Sequence, residues 1–313
     1  MPAFIPSASS TGIKISIIIP ARNEEENIGV LLAALQKQTY PAALYEVIVV
    51  DDHSSDKTAA VVQRYPGVKL LQLKEENINS YKKKAIETGI TAATGDMIVT
   101  TDADCIANPG WLQTIAAFKK ETNAVFIAAP VVLNGNNSLL QIFQVIDFIV
   151  LQAITGASVH KKIHSMSNGA NLAYERKVFY DVNGFEGVDH IASGDDMLLM
   201  HKIWKQYPEE VHYLKSKDAI VSTQPMKTWK DFFNQRIRWA SKAKKYDDKR
   251  IIAVLLLVYL FNLSFISLAV AGFFCYYYWL WLGGFWVAKT IVEWPLVYSA
   301  SVFFDKKKIL KYL

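Results

Sequence analysis

Two cysteines, Cys105 and Cys275, are all that 313 residues contain; they are too few for a disulfide framework, and both are expected as free thiols. The histidines, at 53, 160, 164, 190, 201 and 212, form no HExxH motif, and no metal site is expected from them. No GxGxxG, no Walker lysine loop and no GxSxG occurs, which removes the common dinucleotide, NTPase and α/β-hydrolase readings. Internal repeats and low-complexity tracts are absent. The start, "MPAFIPSASSTGIKIS", lacks the charged head and long apolar core of a signal peptide.

Charge is also missing from one long stretch. Between Ile251 and Phe304 only Lys289 and Glu293 interrupt an apolar run, and these 54 positions hold two membrane spans of about 20 residues each but not three. The cluster Phe273–Trp279, followed by Gly283 and Gly284, reads as the far-side turn of a helical hairpin, because Tyr and Trp favour the headgroup level. Spans are expected at about 251–275 and 280–304. Lys242, Lys244, Lys245, Lys249 and Arg250 precede them, and Lys306, Lys307, Lys308 and Lys311 follow. The positive-inside rule then makes both ends, and the large N-terminal part, cytoplasmic in an inner or plasma membrane. The net charge of +5 comes largely from those blocks, so it points to anionic membrane lipids and not to nucleic acid. Lys289 and Glu293 stand four apart on one helix face; mutual neutralisation is the preferred reading, a role in an acceptor path the sharper one. The ending "DKKKILKYL" begins what reads as another helix, so the chain is read as open to continuing.

The first 240 residues alternate differently. "ISIIIP" (15–20), the apolar strand at 47–50, "VKLLQL" and "DMIVTTDADC" are short apolar runs, separated by helical stretches that include "ARNEEENIGVLLAALQKQ" and "KKKAIETGITAA". Unalternating strands between helices predict a parallel sheet covered on both faces. "AVFIAAPVVL" reads as a further strand. "SLLQIFQVIDFIVLQAITGASV" carries too many polar residues to span a membrane, which leaves an interfacial or a core helix.

In open α/β sheets ligands bind beyond the carboxyl ends of the strands. Three polar clusters lie there: Ala21–Glu24, Asp51–Asp52, and Asp102 with Asp104. Asp102 and Asp104, two apart, point to one side with Ala103 turned away. Such a pair repels itself unless a cation intervenes, and Mg²⁺ or Mn²⁺ suits few carboxylates plus phosphate oxygens. A solvated loop capping the next helix is the plainer reading, although Asn108–Pro109 can serve that cap. Asp56 reads as the cap of the helix beginning near Lys57. In "ASGDDMLLMHKIW" capping needs only one of Asp195 and Asp196, which leaves the other free as a general base.

"SIIIPARNEEENIGVLLAALQKQTYPAALYEVIVVDDHSSDKT", "TTDAD", "SGDDM" and "QRIRW", in this order, resemble the family 2 glycosyltransferases over roughly residues 14–245. These are the inverting GT-A-fold enzymes that include cellulose, chitin and hyaluronan synthases and many single-addition enzymes. The resemblance implies a tail at 1–13, a Rossmann-like α/β domain with a mostly parallel sheet and flanking helices at 14–245, and then a membrane anchor at 246–313 holding a transmembrane hairpin. It implies that Pro20, Ala21, Arg22 and Glu24 wrap a nucleotide base, with Asp52 on a uracil-like edge and Asp51 beside it. Lys82 stands where the family has a Gly-Lys pair, but Tyr81 replaces the glycine, so the loop departs from the family path. Asp102, Ala103 and Asp104 would hold the nucleotide sugar, with Asp104 and Asp102 on a divalent Mg²⁺ or Mn²⁺. Asp196 matches the family's catalytic base, and Asp195 replaces its glutamate. Asn168, Gly169 and Asn171 of "NGANLAY" would line the donor and acceptor site. Gln235, Arg238 and Trp239 match the QxxRW pattern that closes it.

The implied reaction is one in-line displacement from a nucleoside-diphosphate sugar, of UDP by family weight, onto an acceptor hydroxyl. One carboxylate takes the proton, and the leaving diphosphate is stabilised by the divalent ion and cations such as Arg238. A glycan or lipid-linked acceptor at the membrane, in cell-envelope polysaccharide synthesis, suits an anchored domain. The rivals are a processive synthase, disfavoured by so small a membrane portion, and a dead adaptor, disfavoured because Asp52, Asp104 and Asp196 are all present.

Overall fold

The computed structural model describes residues 1–6, 12–135, 138–163, 166–240 and 249–312. The expected boundary at 245–246, and Lys242, Lys244 and Lys245 beside it, lie outside the described residues. The chain forms two compact units, Met1–Met226 and Lys227–Leu313.

The first unit opens with β1 (Ile15–Ala21), α1 (Ile28–Leu35), β2 (Tyr45–Asp51), α2 (Thr58–Val62), β3 (Val68–Gln72), α3 (Tyr81–Thr91) and β4 (Met97–Thr100). It continues through β5 (Ile106–Ala107), α4 (Trp111–Thr122), β6 (Phe126–Ala128), β7 (Val131–Leu133) and α5 (Leu139–His160). β8 (Leu172–Glu175), α6 (Arg176–Asp181), α7 (Asp195–Gln206), β9 (Val211–Tyr213) and β10 (Val221–Thr223) complete it. Among the described residues, seven strands form one sheet in the order β3-β2-β1-β4-β8-β6-β9, and β5-β10-β7 form a small second sheet. β1 pairs in parallel with both β2 and β4, and β8 runs antiparallel between β4 and β6. This is the expected α/β architecture with a parallel-dominated sheet. Ile17–Ile19, Ile48–Val50 and Ile98–Val99 are buried irrespective of the face they point to, because helices cover both. That explains runs without alternation, each such side chain contributing about 1.5–3 kcal/mol.

Two elements differ from expectation, and a third settles an open choice. α1 starts only at Ile28, so the acidic residues 24–26 precede it. Their backbone donors are satisfied elsewhere: Glu24 N donates to Thr58 Oγ1 (2.8 Å) and Glu25 N to Asp56 Oδ2 (3.0 Å), while Asn23 holds a left-handed turn at φ 56°. "AVFIAAPVVL" is two strands, β6 and β7, in different sheets, broken at Ala129–Pro130. α5 resolves the third question as a core helix. Leu140, Val145, Phe148, Ile149 and Val159 are buried. Its glutamines bind neighbouring backbone, Gln152 Oε1 accepting from Val131 N (3.1 Å) and Gln144 exchanging two bonds with Met226 (2.9 and 3.0 Å). α5 is long and apolar enough to cross a membrane, yet half of its apolar stretch is buried inside the unit.

The second unit holds α8 (Trp229–Ala240), α9 (Lys249–Gly272) and α10 (Tyr277–Phe303). Thr228 and Asp231 start α8 reciprocally, with Thr228 Oγ1 accepting from Asp231 N (3.1 Å) and donating to Asp231 Oδ2 (2.6 Å). Trp229, Phe233 and Ile237, four apart, leave an exposed apolar stripe along it. α9 and α10 form a hairpin with Phe261 against Phe285 and Phe273 against Trp279 across the turn. Residues 252–272 are long and apolar enough to cross a membrane. α10 is longer, but Lys289, Glu293 and Pro295 dilute its apolarity. Lys289 Nζ donates to Glu293 Oε2 at 2.6 Å, the mutual pairing that the spacing favours.

Candidate active site

The strand order places a switch point at β1. The chain moves outward from it through β2 and β3, then returns to pair β4 on its other side. Ligands bind at such a crevice, outside the carboxyl ends of the strands. β1, β2 and β4 deliver Ala21–Glu24, Asp51–Asp52 and Asp102–Asp104 to one edge. Antiparallel β8 begins where β4 ends, so residues 168–171 arrive at the same edge.

Asp52 stands at its β2 side, nearly buried. Its Oδ1 meets His53 Nδ1 at 2.9 Å and its Oδ2 lies 3.6 Å from Arg22 Nη1. The Arg22 guanidinium sits 5.5 Å from the centre of the Tyr81 ring, and His53 meets that ring edge-on at 5.7 Å. Asp51, also buried, receives Ser54 N at 3.3 Å. Pro20 lies within β1, paired with Val50, and Ala21 with Asp51. Asp56 acts at the start of α2, accepting from Thr58 N at 2.9 Å.

On the β4 side, Lys82 Nζ donates to Asp102 Oδ1 at 2.6 Å and lies 3.6 Å from Asp195 Oδ2. Desolvation alone would lower the pKa of this lysine, but Asp102 and Asp195 outweigh it and raise the pKa well above the usual lysine value. Its side chain keeps 38% exposure. α3 reaches this position because Gly89 lies flat on β1, where a Cβ would come within 2.5 Å of Ile18. Asp104 accepts from Thr223 Oγ1 at 2.9 Å. Burial, and then the Asp102 charge, raise its carboxyl above the ordinary aspartate range. Glu24 is raised as well, first by burial and also by Asp104 and Asp102. Cys105 is a buried free thiol, pushed well up by burial and then by the same two aspartates, and is therefore inert; Cys275 is free in the α9–α10 turn.

Asp195 and Asp196 open α7, whose cap residue is Gly194, at φ 85°. Asp196 Oδ1 accepts from Met197 N in the first turn at 2.7 Å, and its Oδ2 accepts from Gly169 N at 3.2 Å. Gly169 lies so close to the carboxylates that an added Cβ would stand 2.9 Å from Asp195 Oδ2 and 3.5 Å from Lys82 Nζ. α4 likewise starts at Gly110 without a side-chain cap, and Asn108 donates to Lys217 O at 3.1 Å. Ala103 is buried. Asn168 Oδ1 accepts from Ala170 N (3.0 Å). Asn171 is 0% exposed, and its amide accepts from Trp111 Nε1 (2.9 Å) and donates to the carbonyls of Pro130 and Ala219 (2.8 Å each).

Gln235, Arg238 and Trp239 belong to the second unit, on α8. There Arg236 lies over the rings of Trp239 (4.4 Å) and Phe232 (4.8 Å).

Asp102 and Asp104, two positions apart just past the end of β4, are a carboxylate pair suited to a hard divalent ion, whose charge would relieve their mutual repulsion. Among the described residues no three His, Cys, Asp or Glu side chains group to hold a metal by themselves. Oxygens from a bound ligand would have to complete the shell. His160 and His164 stand four apart in sequence, but α5 ends at His160 and residue 164 lies outside the described residues. Thr223, His53 and the aromatic shelf of Tyr81 are site neighbours that sequence reasoning missed. Thr223 is 119 positions from Asp104, and no local pattern announces it.

An open α/β sheet with carboxylates gathered at its switch point presents a ligand-binding crevice at that edge. The sequence profile described as glycosyl transferase family 2 matches residues 16–182, and the chain belongs to that family. The probable glycosyltransferase YdaM of Bacillus subtilis (strain 168) is 30% identical over 235 residues, covering 72% of this chain but only 54% of that protein. The mannosyltransferase PcManGT of Pyrobaculum calidifontis, solved with GDP-Man and Mn²⁺, superposes with a TM-score of 0.58 at 18% identity, over 94% of this chain and 88% of that one. S. aureus TarS 1–349 in complex with UDP-GlcNAc gives 0.52 at 24% identity, over 69% and 60%. At these identities the two structures speak for the fold.

Proposed function

We propose that the protein transfers a sugar from a nucleoside-diphosphate sugar, a UDP-sugar in the first instance, to an acceptor hydroxyl with inversion at the anomeric carbon. The carrying observation is the convergence of Asp52, Lys82–Asp102–Asp104 and Gly169–Asp195–Asp196 at one sheet edge. Asp52, with Arg22, His53 and Tyr81 around it, takes the base. Pro20, Ala21, Glu24 and Asp51 shape that pocket from behind. Lys82 serves the diphosphate, and Ala103 lies buried between Asp102 and Asp104 in the turn after β4.

Asp102 and Asp104 would hold Mg²⁺ or Mn²⁺, which neutralises charge on the leaving diphosphate. Asp196 removes the acceptor proton as the hydroxyl attacks, in reach of the Gly169 backbone that orients it. Asp195, close to Lys82, keeps the cation beside the donor. Asn168 and Gly169 border the acceptor, and Asn171 supports them from beneath. Gln235, Arg238 and Trp239 serve donor and acceptor closure.

The apolar hairpin and the cations at its ends support an integral membrane protein whose catalytic part is cytoplasmic, the membrane anchor being read as beginning near residue 246. A lipid-linked or cell-envelope glycan acceptor follows from that placement. The test is a panel of UDP-, GDP- and dTDP-sugars with Mn²⁺ or Mg²⁺ on detergent-solubilised protein. Metal-dependent release of one nucleoside diphosphate, with a product of inverted anomeric configuration, is expected. Failure to bind any nucleotide sugar would overturn the reading in favour of a non-catalytic adaptor.

A further inference from the structure

Residues 183–194 connect α6 to α7 as a run of turns, Glu186 N bonding Asn183 O, Val188 N bonding Phe185 O and Ile191 N bonding Val188 O, and four of them, Asn183, Gly184, Gly187 and Gly194, have left-handed backbone. Lysine ammonium groups tie these turns to the neighbouring helices. At the far end, Lys202 Nζ donates to the carbonyls of Gly184 (2.7 Å), Glu186 (2.9 Å) and Asn183 (3.3 Å). At the near end, Lys83 Nζ donates to Ile191 O (2.5 Å) and Ser193 O (3.0 Å), while Ser80 Oγ reaches Ala192 O at 3.4 Å.

Lys83 is 2% exposed. A fully buried ammonium is costly unless oxygens surround it, so its retention at this point argues for a task. Its neighbour Lys82 turns the other way, to Asp102 and Asp195. One turn of α3 therefore grips both the donor carboxylates and the backbone that leads directly into Asp195–Asp196. Charge-assisted bonds to two carbonyls two residues apart fix that backbone in position and in orientation.

We infer that Lys83 is a positioning residue: it locks residues 191–193 onto α3 and thereby sets the Asp196 carboxylate against Gly169. This rests on the proposed role of Asp196 as base. Full-length protein is compared with Lys83→Met and Lys83→Arg by hydrogen–deuterium exchange, and by turnover of the nucleotide sugar that the wild type uses, with UDP plus Mn²⁺ as binding probe. In Lys83→Met, exchange over 190–198 should rise at least about tenfold while β1, β2 and β4 stay protected. The kcat should fall about 10²-fold, the loss expected of a base displaced by about 1 Å, with donor KM and UDP binding within about twofold. Lys83→Arg should restore most of the protection and the rate.

Unchanged exchange over 190–198, or looser exchange with unchanged kcat, would overturn the inference. So would a rise in exchange spread equally over the central strands, with no rescue by arginine. A wild type that turns over no nucleotide sugar would strike the functional reading instead, and the exchange pattern alone would then uphold or refute the anchoring of the loop.

Discussion

Gly169→Ala isolates the geometry of the site from the stability of the fold. The backbone of Gly169 is not left-handed, so alanine meets no conformational penalty, and the whole effect lies in the added carbon. That carbon would stand 2.9 Å from Asp195 Oδ2, which must retreat by about 0.5 Å to reach ordinary contact at 3.4 Å. Rotating one short carboxylate off its preferred angle costs about 0.5–1.5 kcal/mol. A unit of this size should lose about 2–5 °C in Tm on that account. Turnover is more sensitive. The displaced carboxylate shares Lys82 with Asp102, and its neighbour Asp196 is held by the same glycine. If 1 Å of misplacement costs about 10²-fold, half of that costs about tenfold. Steady-state release of nucleoside diphosphate and a thermal melt on one preparation measure both. A tenfold loss of kcat with donor binding intact is expected. A variant with wild-type kcat, or one that loses rate only in proportion to folded protein, would refute the reasoning.

Other consequences follow from single residues. Asn171→Ala leaves Trp111 Nε1 and the carbonyls of Pro130 and Ala219 without their buried partner, and urea unfolding should show a loss of about 3 kcal/mol or more. Asp104→Asn removes a carboxylate whose charged form is disfavoured first by burial and then by Asp102; in metal-free buffer at pH 7 it should raise Tm slightly, while Mn²⁺ should no longer stabilise the protein. Glu46 is tied by Ser16 Oγ (2.6 Å) and Thr94 N (2.6 Å), and although burial opposes it, these bonds lower its pKa. The stability from Glu46 is thus complete above the ordinary glutamate pKa of 4.5 and is lost as pH falls through the depressed value. Glu46→Gln keeps an acceptor for these bonds and loses only their charge, so it should cost about 1 kcal/mol at pH 7, and the gap to wild type should close in melts taken below that window.

The strands of the sheet core were legible because burial on both faces writes itself into local sequence as unbroken Ile and Val. Asp51–Asp52 and Asp102–Asp104 were legible because each pair stands where such a run stops, and Asp195–Asp196 because two acids open a helix that needs one at most. What escaped is chemistry between distant segments. The onset of α1 moved to Ile28 because Thr58 and Asp56, more than 30 positions away, satisfy the donors that a helix would otherwise use. The Ala129–Pro130 break sends consecutive apolar residues into two sheets, which apolarity alone cannot reveal. The polar residues of α5 were visible, but whether they faced lipid headgroups or the backbone of Val131 and Met226 was not. Thr223 on Asp104, and Lys83 beneath the 191–193 backbone, carry no periodic signal at all.

Asp196→Asn tests the account most directly. Asparagine keeps the size of the side chain and one of its two backbone bonds, to Gly169 N or to Met197 N, but it cannot take a proton. Binding of the nucleotide sugar with Mn²⁺, measured by calorimetry, should stay within about threefold of wild type, while transfer falls by about 10²–10⁴-fold, the usual worth of a general base. Transfer at an unreduced rate in a variant that still binds donor would contradict the account and place the base elsewhere.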